Sequence, residues 1–90
     1  MRVAQAIENK LSEKLTPDRL EIEDESARHH GHAGARPEGE SHFRVTIVSA
    51  TFEGMSRLER QRLVYRLLAE EMKSDIHALA LTTLTPAEDV

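Results

Sequence analysis

Ninety residues, a net charge of −4, 39% hydrophobic side chains and no cysteine describe one small domain with neither a disulfide framework nor a thiolate metal cage of its own. No apolar run approaches the roughly 20 residues that cross a bilayer, and Met1-Arg2-Val3-Ala4-Gln5 holds no apolar signal core, so the expectation is a cytoplasmic protein without membrane association. The acidic balance argues against general affinity for phosphate backbones, and Phe43, Phe52 and Tyr65 are too few aromatics for a base-stacking platform.

The first segment carries Val3, Ile7 and Leu11 at four-residue spacing, with Glu8, Asn9, Ser12 and Glu13 on the other side. This pattern predicts an amphipathic helix over residues 2 to 15, ended by Pro17, which forces its predecessor out of the helical region. Leu20-Glu21-Ile22-Glu23 alternates apolar and charged side chains, as a half-buried strand does. From Ala27 to Glu40 the apolar content falls, and Gly31, Gly34, Gly39, Pro37 and three histidines appear. A long, flexible loop is predicted there, and such loops in small domains are functional or disordered.

Phe43, Val45 and Ile47 alternate with Arg44 and Thr46, which predicts a second strand from His42 to about Ala50. After Phe52-Glu53-Gly54-Met55, the tetrad Ser56-Arg57-Leu58-Glu59 matches a capping box. A second helix should start there, with Leu58, Leu63, Val64, Leu67, Leu68 and Met72 on a broad apolar face, and fade near Lys73-Ser74-Asp75. Ile76 to about Leu84 reads as a third strand, and Thr85-Pro86 as the start of a further helical turn.

The order is therefore helix, strand, strand, helix, strand: an α+β domain with a three-stranded mixed sheet and helices on one face. The first two strands should pair antiparallel. The second and third, joined by a helix, can lie parallel through a right-handed crossover. Parallel strands begin at the same end of a sheet. His42 at the start of one and His77 at the start of the other should then meet at one rim, which the loop carrying His29, His30 and His32 also enters. Imidazole is a favoured ligand for zinc, copper and iron, so the cluster of histidines invites a metal reading.

The segments Asp24-Glu25-Ser26, Arg28-His29, Gly39-Glu40-Ser41-His42-Phe43-Arg44-Val45, Phe52-Glu53-Gly54, Glu59-Arg60-Gln61-Arg62-Leu63-Val64-Tyr65 and Ile76-His77-Ala78-Leu79 resemble, in order, the BolA family over nearly the whole chain. The resemblance implies a fold similar to type II KH domains. It also implies a non-enzymatic role beside a monothiol glutaredoxin in iron–sulfur and iron handling. In such a heterodimer a bridging 2Fe–2S cluster is held by a glutaredoxin cysteine, a glutathione thiol and ligands from the BolA-like chain. By matching position, His77 and His29 are the implied ligands, with His30, His32 and His42 as further candidates in the same region. Histidine ligation raises the potential of such a cluster relative to all-cysteine ligation, and an imidazole is lost as a ligand when protonated. Both properties suit a cluster that is passed on. Where the family usually has Arg-His-Arg, this chain has Arg60-Gln61-Arg62, so no imidazole function is expected on the second helix.

The family also includes bacterial stress regulators that touch DNA, and a nucleic-acid reading would rest on Arg57, Arg60, Arg62 and Arg66 of the second helix. Against it, Glu59, Glu70 and Glu71 interleave with these arginines. Gly54-Met55-Ser56-Arg57 also lacks the second glycine of the Gly-x-x-Gly loop with which KH domains clamp a backbone. No nucleophile elbow or phosphate-cradling glycine loop is present to support catalysis.

Overall fold

A computed structural model describes residues 2–25 and 42–89. Helix α1 (Arg2–Leu15) leads into strand β1 (Arg19–Asp24). Strand β2 (His42–Val48) is followed by a 3-10 turn (Ala50–Phe52), helix α2 (Arg57–Leu67), the short helix α3 (Ala69–Ser74), strand β3 (Ala78–Leu84) and a closing 3-10 turn (Pro86–Glu88). The sheet order is β1-β2-β3. β1 runs antiparallel to β2 with Ile22 opposite Val45, and β3 runs parallel to β2 with Leu81 opposite Val45. The domain is the α+β fold with a mixed sheet that the hydrophobic periods predict.

The helical and strand periods meet in one core. Val3, Ile7, Leu11 and Leu15, on one stripe of α1, are buried against Phe43, Val45 and Ile47, the odd-numbered residues of β2. Val64 and Leu68 close the other side. Each such side chain contributes about 1.5–3 kcal/mol on leaving water, enough for one layer of helix on one sheet. The alternate residues of β2, His42, Arg44 and Thr46, are half-buried or exposed on the opposite face. Among the described residues no helix is long and apolar enough to cross a membrane.

Local chemistry fixes the ends. α1 stops at Leu15 because Thr16 takes a left-handed conformation (φ 43°), and Pro17 cannot continue the helix. The Leu15 carbonyl, at the helix end, is then met by the hydroxyl of buried Ser49 at 2.6 Å, so the segment after β2 caps the helix before β1. α2 opens on the predicted capping box: Ser56 Oγ accepts the Glu59 N–H at 3.1 Å and the Glu59 carboxylate accepts the Ser56 N–H at 2.7 Å. Those bonds hold the Glu59 carboxyl below its usual range.

Two boundaries differ from the sequence expectation. The second helix is two helices meeting at Leu68, whose backbone (φ −102°, ψ 19°) departs from helical values. The departure accompanies full burial of Leu68; no glycine or proline announces it. The third strand begins at Ala78, not Ile76. Both Asp75 and Ile76 still donate to the Glu71 carbonyl at 2.8 Å, so helix-end hydrogen bonding retains Ile76, whose side chain is buried.

Candidate functional site

The parallel pairing of β2 and β3 sets His42 opposite Ala78, and His77 directly precedes that pair. The two imidazole rings stand with centroids 5.9 Å apart, tilted by 39°, across 35 positions of sequence. His77 is exposed and His42 half-buried, so the pair faces solvent at the sheet end where β2 and β3 begin. Beside them the Glu25 N–H donates to the His42 carbonyl at 2.7 Å, and the Arg44 guanidinium donates to the Glu25 carboxylate at 3.2 Å. The expected convergence of His42 and His77 is therefore present. His29, His30 and His32 lie outside the described residues.

Chemically, this rim offers two imidazoles on a solvent-facing edge. Each can present one ring nitrogen to a soft or borderline metal when neutral. No group of three or more histidine, aspartate or glutamate side chains placed to hold a metal ion occurs among the described residues. Two imidazoles are fewer than the four ligands that a closed structural zinc site takes from a fixed scaffold.

The four arginines of α2 separate by role. Arg60 leaves the basic face altogether: it is 6% exposed and is consumed by the interior. Its Nε donates to the Met55 carbonyl at 3.0 Å, and its Nη1 donates to the Thr83 carbonyl at 3.1 Å and to the Glu88 carboxylate at 2.8 Å. The guanidinium also lies 5.8 Å from the centroid of the buried Phe52 ring. This corrects its placement among nucleic-acid contacts. The Nε and Nη1 donors are thereby committed inward, where a buried charge needs such partners, and they are not available to a phosphate. A sequence signal existed: Arg60 shares a helical stripe with Val64 and Leu68, the buried residues four and eight positions on. Arg57, Arg62 and Arg66 are exposed.

Arg60 also fastens the chain end. Glu88 accepts from Arg60 and from the Thr85 N–H at 2.8 Å, and these bonds, that from Arg60 foremost, hold its carboxyl down at about 2. Asp89 pairs with Arg19 at 2.7 Å, which lowers the Asp89 carboxyl as well. The last 3-10 turn is thereby tied to α2 and to the start of β1, at the sheet end opposite the histidines. Elsewhere, Lys10 of α1 donates to the buried Glu71 of α3 at 2.9 Å, a structural pair that hydrophobic patterning did not signal.

A small α+β domain with a mixed three-stranded sheet and paired histidines on its rim defines the class. The family description "BolA-like protein" matches residues 11–88, and the chain belongs to that family. It is 50% identical over 86 residues to BolA-like protein 1 of Homo sapiens, covering 96% of this chain and 60% of that protein. It is 43% identical over 88 residues to a Haemophilus influenzae protein named DNA-binding transcriptional regulator BolA, covering 98% of this chain and 82% of that one. Among solved structures, the BolA domain of SufE1 from Arabidopsis thaliana superposes with a TM-score of 0.87 at 44% identity, covering 98% of this chain and 96% of that one. The chain spans between 23% and 60% of the length of several plant and mammalian relatives.

Proposed function

We propose that the protein is a non-enzymatic adaptor that binds a monothiol glutaredoxin and completes a bridging 2Fe–2S cluster, with His77 and His29 as its ligands, in iron–sulfur cluster assembly and iron homeostasis. The observation that carries the reading is the meeting of His42 and His77 at 5.9 Å on an exposed rim. A solvent-facing pair of imidazoles suits a cluster completed by a second protein and glutathione. The cluster itself supplies electron-transfer capacity and iron and sulfide to be handed on. Within this chain, His77 presents a ring nitrogen at the strand start. His42 packs beside it and limits the orientations its ring can take. The Glu25–Arg44 pair tethers the end of β1 to β2 next to both. His30 and His32 stand as alternatives to His29, and His42 as a further candidate ligand.

The test is a visible absorption and circular dichroism titration of 2Fe–2S-loaded monothiol glutaredoxin with the wild type, His77→Ala and His42→Ala. The wild type should reshape the cluster spectrum and His77→Ala should not. His42→Ala should give an altered spectrum. An unchanged spectrum with the wild type would remove the cluster role for that partner.

A second reading, a DNA-binding stress regulator, draws on the name of the Haemophilus influenzae relative and on exposed Arg57, Arg62 and Arg66. The withdrawal of Arg60 into the core leaves it weaker than the adaptor reading. A steep loss of DNA affinity with salt would mark it as electrostatic binding.

A further inference from the structure

At the end of the sheet away from the histidines, α2 and the outer edge of β3 enclose a cleft of about 180 Å3 lined by Arg57, Gln61 and Leu81 to Leu84. β3 is an edge strand. Its register tells which backbone groups face outward: the Leu84 carbonyl accepts from Ser49 beyond the end of β2, so even-numbered residues bond inward and Leu79, Leu81 and Thr83 point out. Two of those three carbonyls are covered from α2. The Tyr65 hydroxyl donates to Leu79 at 3.2 Å and Arg60 donates to Thr83 at 3.1 Å. Between them the N–H and C=O of Leu81 face the cleft with no partner among the described residues.

The helix wall of this cleft is distinctive. Arg57, Gln61 and Tyr65, four residues apart, run along the side of α2 next to β3, and Leu58 and Arg62 lie one step further round. Leu58 (56% exposed) and Tyr65 (38%) are the exposed large hydrophobics among the described residues. Arg57, Arg62 and Arg66 make no ion pair with a described carboxylate, whereas Arg60, Arg19 and Arg44 each do. On a chain of net charge −4, this is a locally basic and apolar surface beside an open strand edge.

We infer that the α2–β3 cleft docks an extended, acidic segment of a partner protein. The segment adds to the edge of β3 at Leu81 and sets its carboxylates against Arg57 and Arg62. Strand addition supplies main-chain affinity, and alternate side chains supply specificity. A peptide fits better than a nucleic acid for a chemical reason. A peptide strand offers an N–H and a C=O at the spacing that pairs with both backbone groups of Leu81, whereas Gly54-Met55-Ser56-Arg57 lacks the second glycine with which a KH loop clamps a phosphate backbone. Leu84 lies seven residues beyond His77, about 20 Å along the strand, so this segment and a partner on the histidine rim can be held together. The inference goes beyond the glutaredoxin reading and does not depend on it.

The experiment is an amide chemical-shift titration of the whole 15N-labelled chain. The probe is a synthetic peptide of about ten residues alternating glutamate and valine. The comparisons are the lysine–valine counterpart, the same acidic peptide with every amide N-methylated, and short single- and double-stranded DNA. The acidic peptide should shift residues 57–65 and 81–84 and bind about tenfold or more tightly than either peptide control. Arg57→Glu should lose about tenfold with an unchanged melting temperature, and Lys14→Glu, on exposed α1 surface, should leave the peptide affinity unchanged. Equal binding of the lysine or N-methylated peptide, or shifts elsewhere, would overturn the inference. DNA moving the same amides at lower concentration than the acidic peptide would make the surface a nucleic-acid interface instead. Peptide binding that survives while the cluster titration fails would remove only the glutaredoxin reading.

Discussion

Replacing Arg60 by methionine separates its structural role from any surface role, because methionine keeps the aliphatic stem and removes the guanidinium. The substitution strands two carbonyls, Met55 and Thr83, in a buried or half-buried setting, at about 1–3 kcal/mol each. It also removes the guanidinium–Phe52 contact, worth about 0.5–1 kcal/mol. Glu88 remains exposed enough to rehydrate, so its lost pairing is not counted. Against these losses, a buried charge no longer has to be desolvated, which offsets part of the total. The net expectation is a loss of about 2–4 kcal/mol. With an m-value of about 1 kcal/mol/M for a domain of this size, the urea midpoint should fall by about 2–4 M, and the melting temperature by on the order of 10–20 °C. Arg62→Met, on the solvent side of the same helix, should stay within about 0.5 kcal/mol of the wild type. A loss below about 1 kcal/mol for Arg60→Met, or equal losses for the two variants, would refute the assignment and return Arg60 to the list of available surface cations.

Ser49→Ala should cost about 1 kcal/mol in urea denaturation, because it removes the shorter of two hydroxyl bonds to the Leu15 carbonyl, leaving Thr51 Oγ1 at 3.4 Å, and frees the Thr51 N–H; no loss would mean that α1 ends equally well without this cap. Glu88 gives a pH signature. Its folded carboxyl titrates at about 2, below the ordinary 4.5, so its stabilisation is complete above pH 4.5 and is lost as pH falls toward 2. Glu88→Gln should therefore show a shallower loss of stability than the wild type across that window, and parallel pH curves for the two proteins would contradict the Arg60–Glu88 clasp.

Several features were legible in the sequence because short-range rules decide them. The four-residue spacing of Val3, Ile7, Leu11 and Leu15 marks a stripe that any helix of this sequence must bury. The alternation of Phe43, Val45 and Ile47 marks the inner face of a strand in the same way. Ser56 and Glu59 satisfy the first orphan amides of α2 without help from elsewhere. The parallel pairing that a strand–helix–strand crossover allows then places His42 and His77 at one end, which is why that half of the candidate site could be anticipated from the sequence.

Other features depend on what packs against what. The stripe shared with Val64 and Leu68 turns Arg60 inward, but what makes a charge tolerable there is the closing turn at Glu88, the Thr83 carbonyl and the Phe52 ring, none of which is local in sequence. Ile76-His77 has the composition of a strand, yet the Glu71 carbonyl holds Ile76 to the helix end, and His77 becomes a rim residue before β3. The outward backbone of Leu81, covered on both sides and open in the middle, is set by strand register and by the side chains of α2. The sequence alone determined the order of elements and the two histidines that meet, since periodicity and the parallel pairing of strands joined by a helix suffice for those. The tertiary structure decided which charges are interior and which backbone groups of β3 have no partner among the described residues, because burial and partner geometry belong to the assembled fold.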